Sequence, residues 1–244
     1  MSKICIIVPC YNEGERINLN TFLDFNKKYN YINILFVNDG STDNTSELLL
    51  KIVDNKSIYL LNLTENQGKA QAVRKAALYV NSSIRSEWVA YWDADLATPL
   101  EEILHMYNCI LNNNNLDIVF ASRIKRIGSN INRSTSRHLI GRILSSFVSI
   151  ILKLPIYDSQ CGAKLIRSSI IDIIFYDEFI SKWLFDIELI ARYRNYNGIK
   201  KTLCSLLEYP LLNWTEIPGS KIKFSYIFKI PIELYRINNK YNNN

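Results

Sequence analysis

The sequence predicts an α/β protein with a mostly parallel central sheet and helices on both faces. Three observations carry this. Short apolar runs alternate with amphipathic segments through the first half of the chain, and each run ends in turn-forming polar residues. The runs are nearly continuous in apolar character, the pattern of strands covered on both faces by crossover helices. The chain has 244 residues, 48% hydrophobic and 21% charged, enough for one sizeable domain, since single cores stop growing near about 250 residues.

The strands read at residues 4–8, 32–37, 58–61, 88–92 and 118–121, each compact and rich in β-branched or aromatic residues. Helical segments fall between them at 15–28, 45–53, 70–80 and 99–111. Thr98, Pro99 and Glu101 offer an N-cap, a first helical position and a capping-box acid. Asn44 with Glu47 is a weaker version. Beyond residue 121 the pattern loosens. A basic loop spans 123–137, a mostly apolar helix follows over 139–154, and another covers 185–196. Residues 238–244 read as a polar tail, leaving a single domain over 1–237. No internal repeat is visible.

Composition excludes several classes. Net charge is 29 − 23 = +6, a mild bias. The five cysteines are scattered and odd in number, with no C-x-x-C, so neither a disulfide framework nor a zinc site is expected, and a reducing compartment fits. His105 and His138, the only histidines, lack metal-ligand spacing. The apolar start at 4–8 is too short for a signal peptide. No run approaches the roughly 20 residues that span a bilayer; the longest, 143–152, holds three serines. The expected location is cytoplasmic, peripheral at a membrane.

Polar motifs follow the strands. Val8-Pro9-Cys10-Tyr11-Asn12-Glu13 follows the first, Asn38-Asp39-Gly40-Ser41-Thr42-Asp43 the second, and Trp92-Asp93-Ala94-Asp95 the fourth. In such sheets ligands bind beyond the carboxyl ends of the strands. For Asp43, turn or cap chemistry is the preferred reading. Asp93 and Asp95 are different: two carboxylates one residue apart repel each other without a cation, and Asp-x-Asp suits a hard divalent ion that also takes phosphate oxygens. Asn66-Gln67-Gly68-Lys69 opens the third helix, where Lys69 and the helix N-terminus can meet a phosphate.

The ordered set VPCYNE, NDGSTD, NQGKAQAVRKA and YWDADLATPLEE resembles the inverting glycosyltransferases of family two, which have the GT-A fold. The likeness continues through ASR at 121–123, YDSQCGAKLIR at 157–167 and WLFDIE at 183–188. Within the family it looks most like the dolichyl-phosphate glucosyltransferase and mannosyltransferase branch, which moves one sugar from UDP-glucose or GDP-mannose to a polyprenyl phosphate. The resemblance implies that Pro9, Tyr11, Glu13 and Asp39 line the nucleoside pocket, that Lys69 and Asp93 contact the donor, and that Asp93 and Asp95 hold Mg2+ or Mn2+ against the diphosphate. Arg123 and Arg137 match arginines that face the reacting phosphates in the mannosyltransferases. Those relatives carry Gln where this chain has Ala97, and glucosyltransferase-like members lack that Gln too, which favours a UDP-sugar over a GDP-sugar. The eukaryotic glucosyltransferases also have an N-terminal membrane anchor, which is not read in this sequence.

From Ile118 to Tyr157 there is no acid, and seven cations fall there: Arg123, Lys125, Arg126, Arg133, Arg137, Arg142 and Lys153. No nucleic-acid recognition motif accompanies them. A phosphate-bearing acceptor at an anionic membrane surface fits better. The helix after the loop, with Leu139, Ile143, Leu144, Phe147, Val148, Ile151 and Leu152, reads either as buried core, the slightly preferred reading, or as an interfacial helix. The stretch 221–229 mixes cations with aromatics and reads as an interface or as an edge on the core. A phosphate acceptor needs no strong base; a hydroxyl of a surface glycan or glycolipid does. Asp186 is then the candidate, with a helix cap as an equal reading and Glu188 as the fallback. A non-catalytic binding protein on the same fold is a distant alternative. A sugar nucleotidyltransferase is weaker still, because its Gly-rich N-terminal loop is missing.

Overall fold

The computed structural model describes residues 3–217 and 229–241. The chain packs as two compact units, each drawn from two segments: Met1–Leu96 with Gly162–Glu178, and Ala97–Cys161 with Phe179–Asn244.

The first unit runs β1 (Ile4–Cys10), α1 (Leu19–Lys28), β2 (Ile32–Asp39), α2 (Thr45–Leu50), β3 (Ile58–Leu63), α3 (Lys69–Tyr79) and β4 (Trp88–Trp92). Its second segment adds β7 (Ala163–Arg167) and α6 (Ile171–Phe175). The strands lie in the order β3-β2-β1-β4-β7. The first four are parallel, with Ile4 opposite both Ile32 and Trp88, and β7 runs antiparallel to β4. The residues of β2 and β4 are all buried: β4 is apolar throughout, and β2 is mostly apolar with Asn33, Asn38 and Asp39 buried as well. Since β1 lies between β2 and β4, the strand order reverses beside it, which is where such sheets bind ligands. The carboxyl ends of β1, β2 and β4 all point to that edge.

Helix boundaries depart from the sequence reading for local reasons. α1 begins four residues later than expected, because the N–H groups of Arg16 and Ile17 turn back to Glu13 O and Asn18 Oδ1 accepts from Thr21 N–H at 3.3 Å. At α2, Asp43 and not Asn44 takes the Thr45 N–H, at 3.0 Å. That bears out the turn-and-cap reading of Asp43. After α3 a π-helical turn (Val80–Ile84) closes on Arg85 in the left-handed region.

The second unit holds α4 (Glu102–Asn112), β5 (Ile118–Ser122), β6 (Asn130–Asn132), α5 (Thr135–Leu152), α7 (Phe185–Ser205), β8 (Leu206–Pro210), β9 (Asn213–Thr215) and α8 (Ile230–Tyr241). α4 starts at Glu102 because residues from Pro99 on first form tight i→i+3 turns. β5 pairs in parallel with β8, and β6 with β9. The basic loop thus contains a strand too short and polar to show a period. α7 is broken at Gly198, whose φ of 75° only glycine adopts freely.

Residues 238–241, expected as the start of a tail, are the last turn of α8. Buried Tyr241 fixes it: its hydroxyl meets Glu188 at 3.0 Å and Arg192 at 3.1 Å, and its carbonyl accepts from Arg194 at 3.0 Å. Residues 221–228 of the cation–aromatic stretch lie outside the described residues.

Candidate active site

In the first unit the loops after β1 and β2 are laced together. Asn12 N–H donates to Ser41 Oγ, Glu13 N–H to Thr45 Oγ1 and Gly14 N–H to Asp43 Oδ2, at 3.0, 2.9 and 3.1 Å. A side chain on Gly14 would collide with Asn44, so glycine is what lets the loops close. Glu13 is buried, and its carboxylate is gripped by Arg16 at 2.7 Å from Nη2 to either oxygen. Pro9 lies on β1 opposite Val37, and Tyr11 follows the strand, half-exposed.

Asp39, at the end of β2, is also buried, and its two oxygens accept from the N–H groups of Gln67 and Gly68 at 2.8 Å each. This clamp shapes the loop before α3. Gly68 takes φ 87° there and delivers Lys69 as the first helical residue. Lys69 Nζ then reaches Asp93 Oδ1 in an ion pair with roughly a third of each side chain exposed (35% and 41%).

Asp93 and Asp95 stand on a tight turn after β4. Leu96 N–H closes it onto Asp93 O at 3.2 Å, with Leu96 itself at φ 55°, a costly conformation for a leucine. The carboxylate of Asp93 rests on Gly162, just before β7. A Cβ there would come within 1.8 Å of Asp93 Oδ2. The donor set fits a hard divalent cation, because it is all oxygen and partly exposed. Among the described residues no group of three or more His, Cys, Asp or Glu side chains could hold a metal. A cation here would therefore complete its shell with phosphate oxygens and water, as Mg2+-type ions do.

In the second unit, Arg123 forms a bidentate pair with Asp158, Nε to Oδ2 at 2.6 Å and Nη2 to Oδ1 at 2.7 Å, and both side chains are largely buried. Burial alone would raise the Asp158 carboxyl. The charge and hydrogen bonds of Arg123, with help from Arg133, outweigh it and hold the group well below its ordinary value. Arg133 lies 4.0 Å from Asp158, its own pKa lowered by burial and by Arg123. Glu208 on β8 accepts the N–H groups of Tyr157 and Asp158 at 2.8 and 2.6 Å, fixing the peptide that aims Asp158. Arg137 pairs with Glu216 at 2.9 Å and is half-exposed. The segment around these arginines is acid-free in sequence, yet in the fold each meets a carboxylate. The acid-free window stops one residue short of Asp158, and Glu216 arrives from far along the chain.

Asp186 sits in the first turn of α7 and is 4% exposed. Glu188, the fallback base, is held by several partners. It is fully buried, pairs with Arg192 at 2.8 Å, and accepts from Ile180 N–H and the Tyr241 hydroxyl.

The sequence profile described as glycosyl transferase family 2 matches residues 5–175 of this chain. The chain belongs to that family. A dolichyl-phosphate beta-glucosyltransferase of Trichomonas vaginalis is 31% identical over 247 residues, covering 96% of this chain and 72% of the relative. One from Dictyostelium discoideum is 31% identical over 263 residues, covering 98% and 74%. One from Saccharomyces cerevisiae is 29% identical, covering 90% and 69%. Among solved structures, glucosyl-3-phosphoglycerate synthase from Mycobacterium tuberculosis in complex with Mn2+ and UDP-glucose matches with a TM-score of 0.68 at 12% identity, over 97% of this chain and 77% of the other. That likeness shows the fold, and the mostly parallel α/β sheet read from the sequence is that of the GT-A glycosyltransferases.

For this glycosyltransferase, sequence reasoning placed Arg133 only within the basic window and did not single out Gly162, Asp158, Glu208 and Glu216. Gly162 and Asp158 lie inside the YDSQCGAKLIR segment that carries the resemblance, and that was their only signal. Within the first unit the structure links the named residues in a chain: Asp39 holds the Gly68 loop, which places Lys69, which meets Asp93.

Proposed function

We propose that this protein transfers glucose from UDP-glucose to a polyprenyl phosphate of the dolichyl type, with inversion, at a membrane surface. One observation carries the reading. The similarity to dolichyl-phosphate beta-glucosyltransferases runs over 96% of the chain, well past residue 175 where the family profile ends, and so includes the helix that bears Asp186. The Mn2+ and UDP-glucose of the structural relative support a divalent ion and a uridine donor.

In this reading Asp93 and Asp95 hold Mg2+ or Mn2+ against the donor diphosphate. A divalent cation there supplies neutralisation of the charge that grows on the leaving nucleoside diphosphate. Lys69 adds a positive charge beside it, and the loops around Pro9, Tyr11, Glu13 and Asp39 seat the nucleoside. The acceptor phosphate is already anionic and attacks the anomeric carbon without a strong base. Arg123 and Arg137 serve that phosphate. Asp158 presents Arg123 as a fixed fork, a geometry lysine cannot copy.

The membrane surface is read from α5. This helix is apolar on the outside: Leu139, Ile140, Ile143, Phe147 and Ile150 are exposed, Ile150 to 74%. Its inward side is partly polar, with Ser145 buried, Ser149 bonded to Ile156 O and N–H, and Arg142 stacked on Tyr157 at 3.5 Å. Val148 and Leu152 are fully buried, as the core reading expects, whereas Leu139, Ile143 and Phe147 are exposed and fit the interfacial one. A face of this kind suits the headgroup region. No helix among the described residues is long and apolar enough to cross a membrane.

The test is incubation with radiolabelled UDP-glucose, Mn2+ and a polyprenyl phosphate, followed by organic extraction. A lipid-soluble product labile to mild acid is expected, and an acid-stable glycoside would overturn the acceptor. A crossed pair of variants sharpens it. Arg137→Lys should slow transfer about tenfold, the loss of one phosphate contact, and spare donor hydrolysis. Asp186→Asn should leave the chemistry with its pH profile unchanged, because a general base must reach the substrate to within about 3 Å and Asp186 is buried. A mild Arg137→Lys beside a folded but dead Asp186→Asn would mean a hydroxyl acceptor.

A further inference from the structure

Lys69 holds a ligand position that a metal ion needs. Its ammonium is paired with Asp93 Oδ1, while Asp93 Oδ2 lies against the Gly162 backbone. The lysine is not there by chance rotation. Asp39 fixes the Gln67 and Gly68 N–H groups at 2.8 Å, and Gly68 at φ 87° sets Lys69 at the head of α3. The protein therefore offers a divalent cation the carboxylates of Asp95 and of Asp93, the latter paired with Lys69, and no group of three or more acidic, His or Cys side chains that could hold it among the described residues. A bare cation gains little there, since it must displace an ammonium and still draw most of its shell from water. A cation that arrives with a diphosphate brings its own oxygens. It also gives the displaced ammonium an anion to turn to.

We infer that Lys69 is a placeholder for the metal. It occupies Asp93 while the donor is absent and moves to the diphosphate when the donor binds, so that metal and nucleotide enter the site as a unit. The inference rests on the donor reading of this site. It makes Lys69 a positioning residue for the metal and disfavours free metal binding in the resting enzyme.

The experiment measures Mn2+ binding by titration calorimetry or by the electron spin resonance of free Mn2+, with and without UDP. The wild-type protein should bind Mn2+ weakly alone and more tightly with UDP. Lys69→Met should bind Mn2+ alone about fivefold more tightly than wild type, the scale of a part-exposed ion pair, and should show a smaller gain from UDP. Lys69→Arg, which keeps the charge, should bind Mn2+ alone as weakly as wild type. Lys75→Met is the control. It removes the same charge from the same helix about 9 Å further along, and should change Mn2+ binding little. If Lys69→Met binds Mn2+ alone no better than wild type, or if Lys75→Met matches its effect, the inference is overturned while UDP-dependent Mn2+ binding leaves the donor reading standing. If UDP strengthens Mn2+ binding in neither wild type nor Lys69→Arg, the donor reading fails and the placeholder with it.

Discussion

The two units handle charge in opposite ways. In the first, Lys69 and Asp93 meet with a third or more of each side chain open to water, and the tight hydrogen bonds go to the loops that carry them. In the second, Arg123 and Asp158 are locked as a fork on a fork with about a tenth of each side chain exposed (13% and 8%). An exposed pair is weak and exchangeable. A buried pair is rigid, and removing one partner strands the other without water. The first arrangement suits groups that must change partners when a ligand arrives, and the second suits a group that must already be aimed. Substitutions in the first unit should therefore impair ligand handling at constant stability, and those at the buried pair should impair both.

The largest effect tests the buried pair. Asp158→Ala should destabilise the protein by about 3 kcal/mol, the cost of stranding a buried guanidinium, lowering Tm by roughly 6–12 °C for a chain of this size. The pH dependence has a definite sign. The Asp158 carboxyl is held well below its ordinary value of 3.8, so its contribution is present above the unfolded pKa and is lost as pH falls through the lower folded value. The deficit of the variant relative to wild type should stay constant above about pH 5 and narrow only in strong acid. Denaturant melts across that range check it; a deficit that vanishes near neutral pH would break the contrast between the units.

Next in size is Asp95→Ala. Transfer should fall by roughly a hundredfold or more, the scale of losing one electrostatic stabiliser, with Tm close to wild type because the residue stands on a half-exposed turn. Full activity of the wild-type enzyme in excess chelator would remove the metal from the reading altogether. Gly162→Ala should be milder and more specific. Its Cβ would press on Asp93 Oδ2 from 1.8 Å, so the carboxylate must shift, and the Mn2+ concentration needed for half-maximal transfer should rise about tenfold, near 1.4 kcal/mol. An unchanged Mn2+ requirement would mean that the position of Asp93 is not what Gly162 protects.

The same contrast explains what was legible in the sequence. The sheet of the first unit was readable because β2 and β4 are buried along their whole length, which makes such strands largely apolar runs. Its candidate site residues were readable because each lies within a few residues of a strand end. In the second unit the decisive partners are set by tertiary placement. Asp158 is 35 residues from Arg123 and one beyond the acid-free window. Glu216 is reached only through the pairing of β6 with β9, and those strands have three residues each. Glu188, Arg192 and Tyr241 show the same limit: a helix read as ending near 196 and a tail read as disordered are joined by a buried polar cluster that no local pattern announces.

The smallest expected effect concerns α5, whose apolar residues divide between core and surface. Apolar residues at helical spacing usually mean core, and here Val148 and Leu152 are buried while Leu139, Ile143, Phe147 and Ile150 are exposed. If that stripe enters a headgroup layer, its removal should weaken binding to vesicles without touching the donor site. Phe147→Ser and Ile150→Ser should each reduce sedimentation with phosphatidylserine-containing vesicles by about fivefold, on the order of 1 kcal/mol for apolar area incompletely withdrawn from water. Both should leave donor hydrolysis with Mn2+ unchanged. Salt separates the apolar stripe from the cations around it. Charge attraction is screened beyond about 8 Å at physiological ionic strength, so the basic contribution should fade as salt rises while the apolar one persists. At high salt the wild-type protein should retain weak vesicle binding, and the two serine variants should retain almost none. If the variants bind as wild type at every salt concentration, α5 is not the membrane face; if wild-type binding disappears entirely with salt, the attachment is electrostatic and the exposed stripe has another partner.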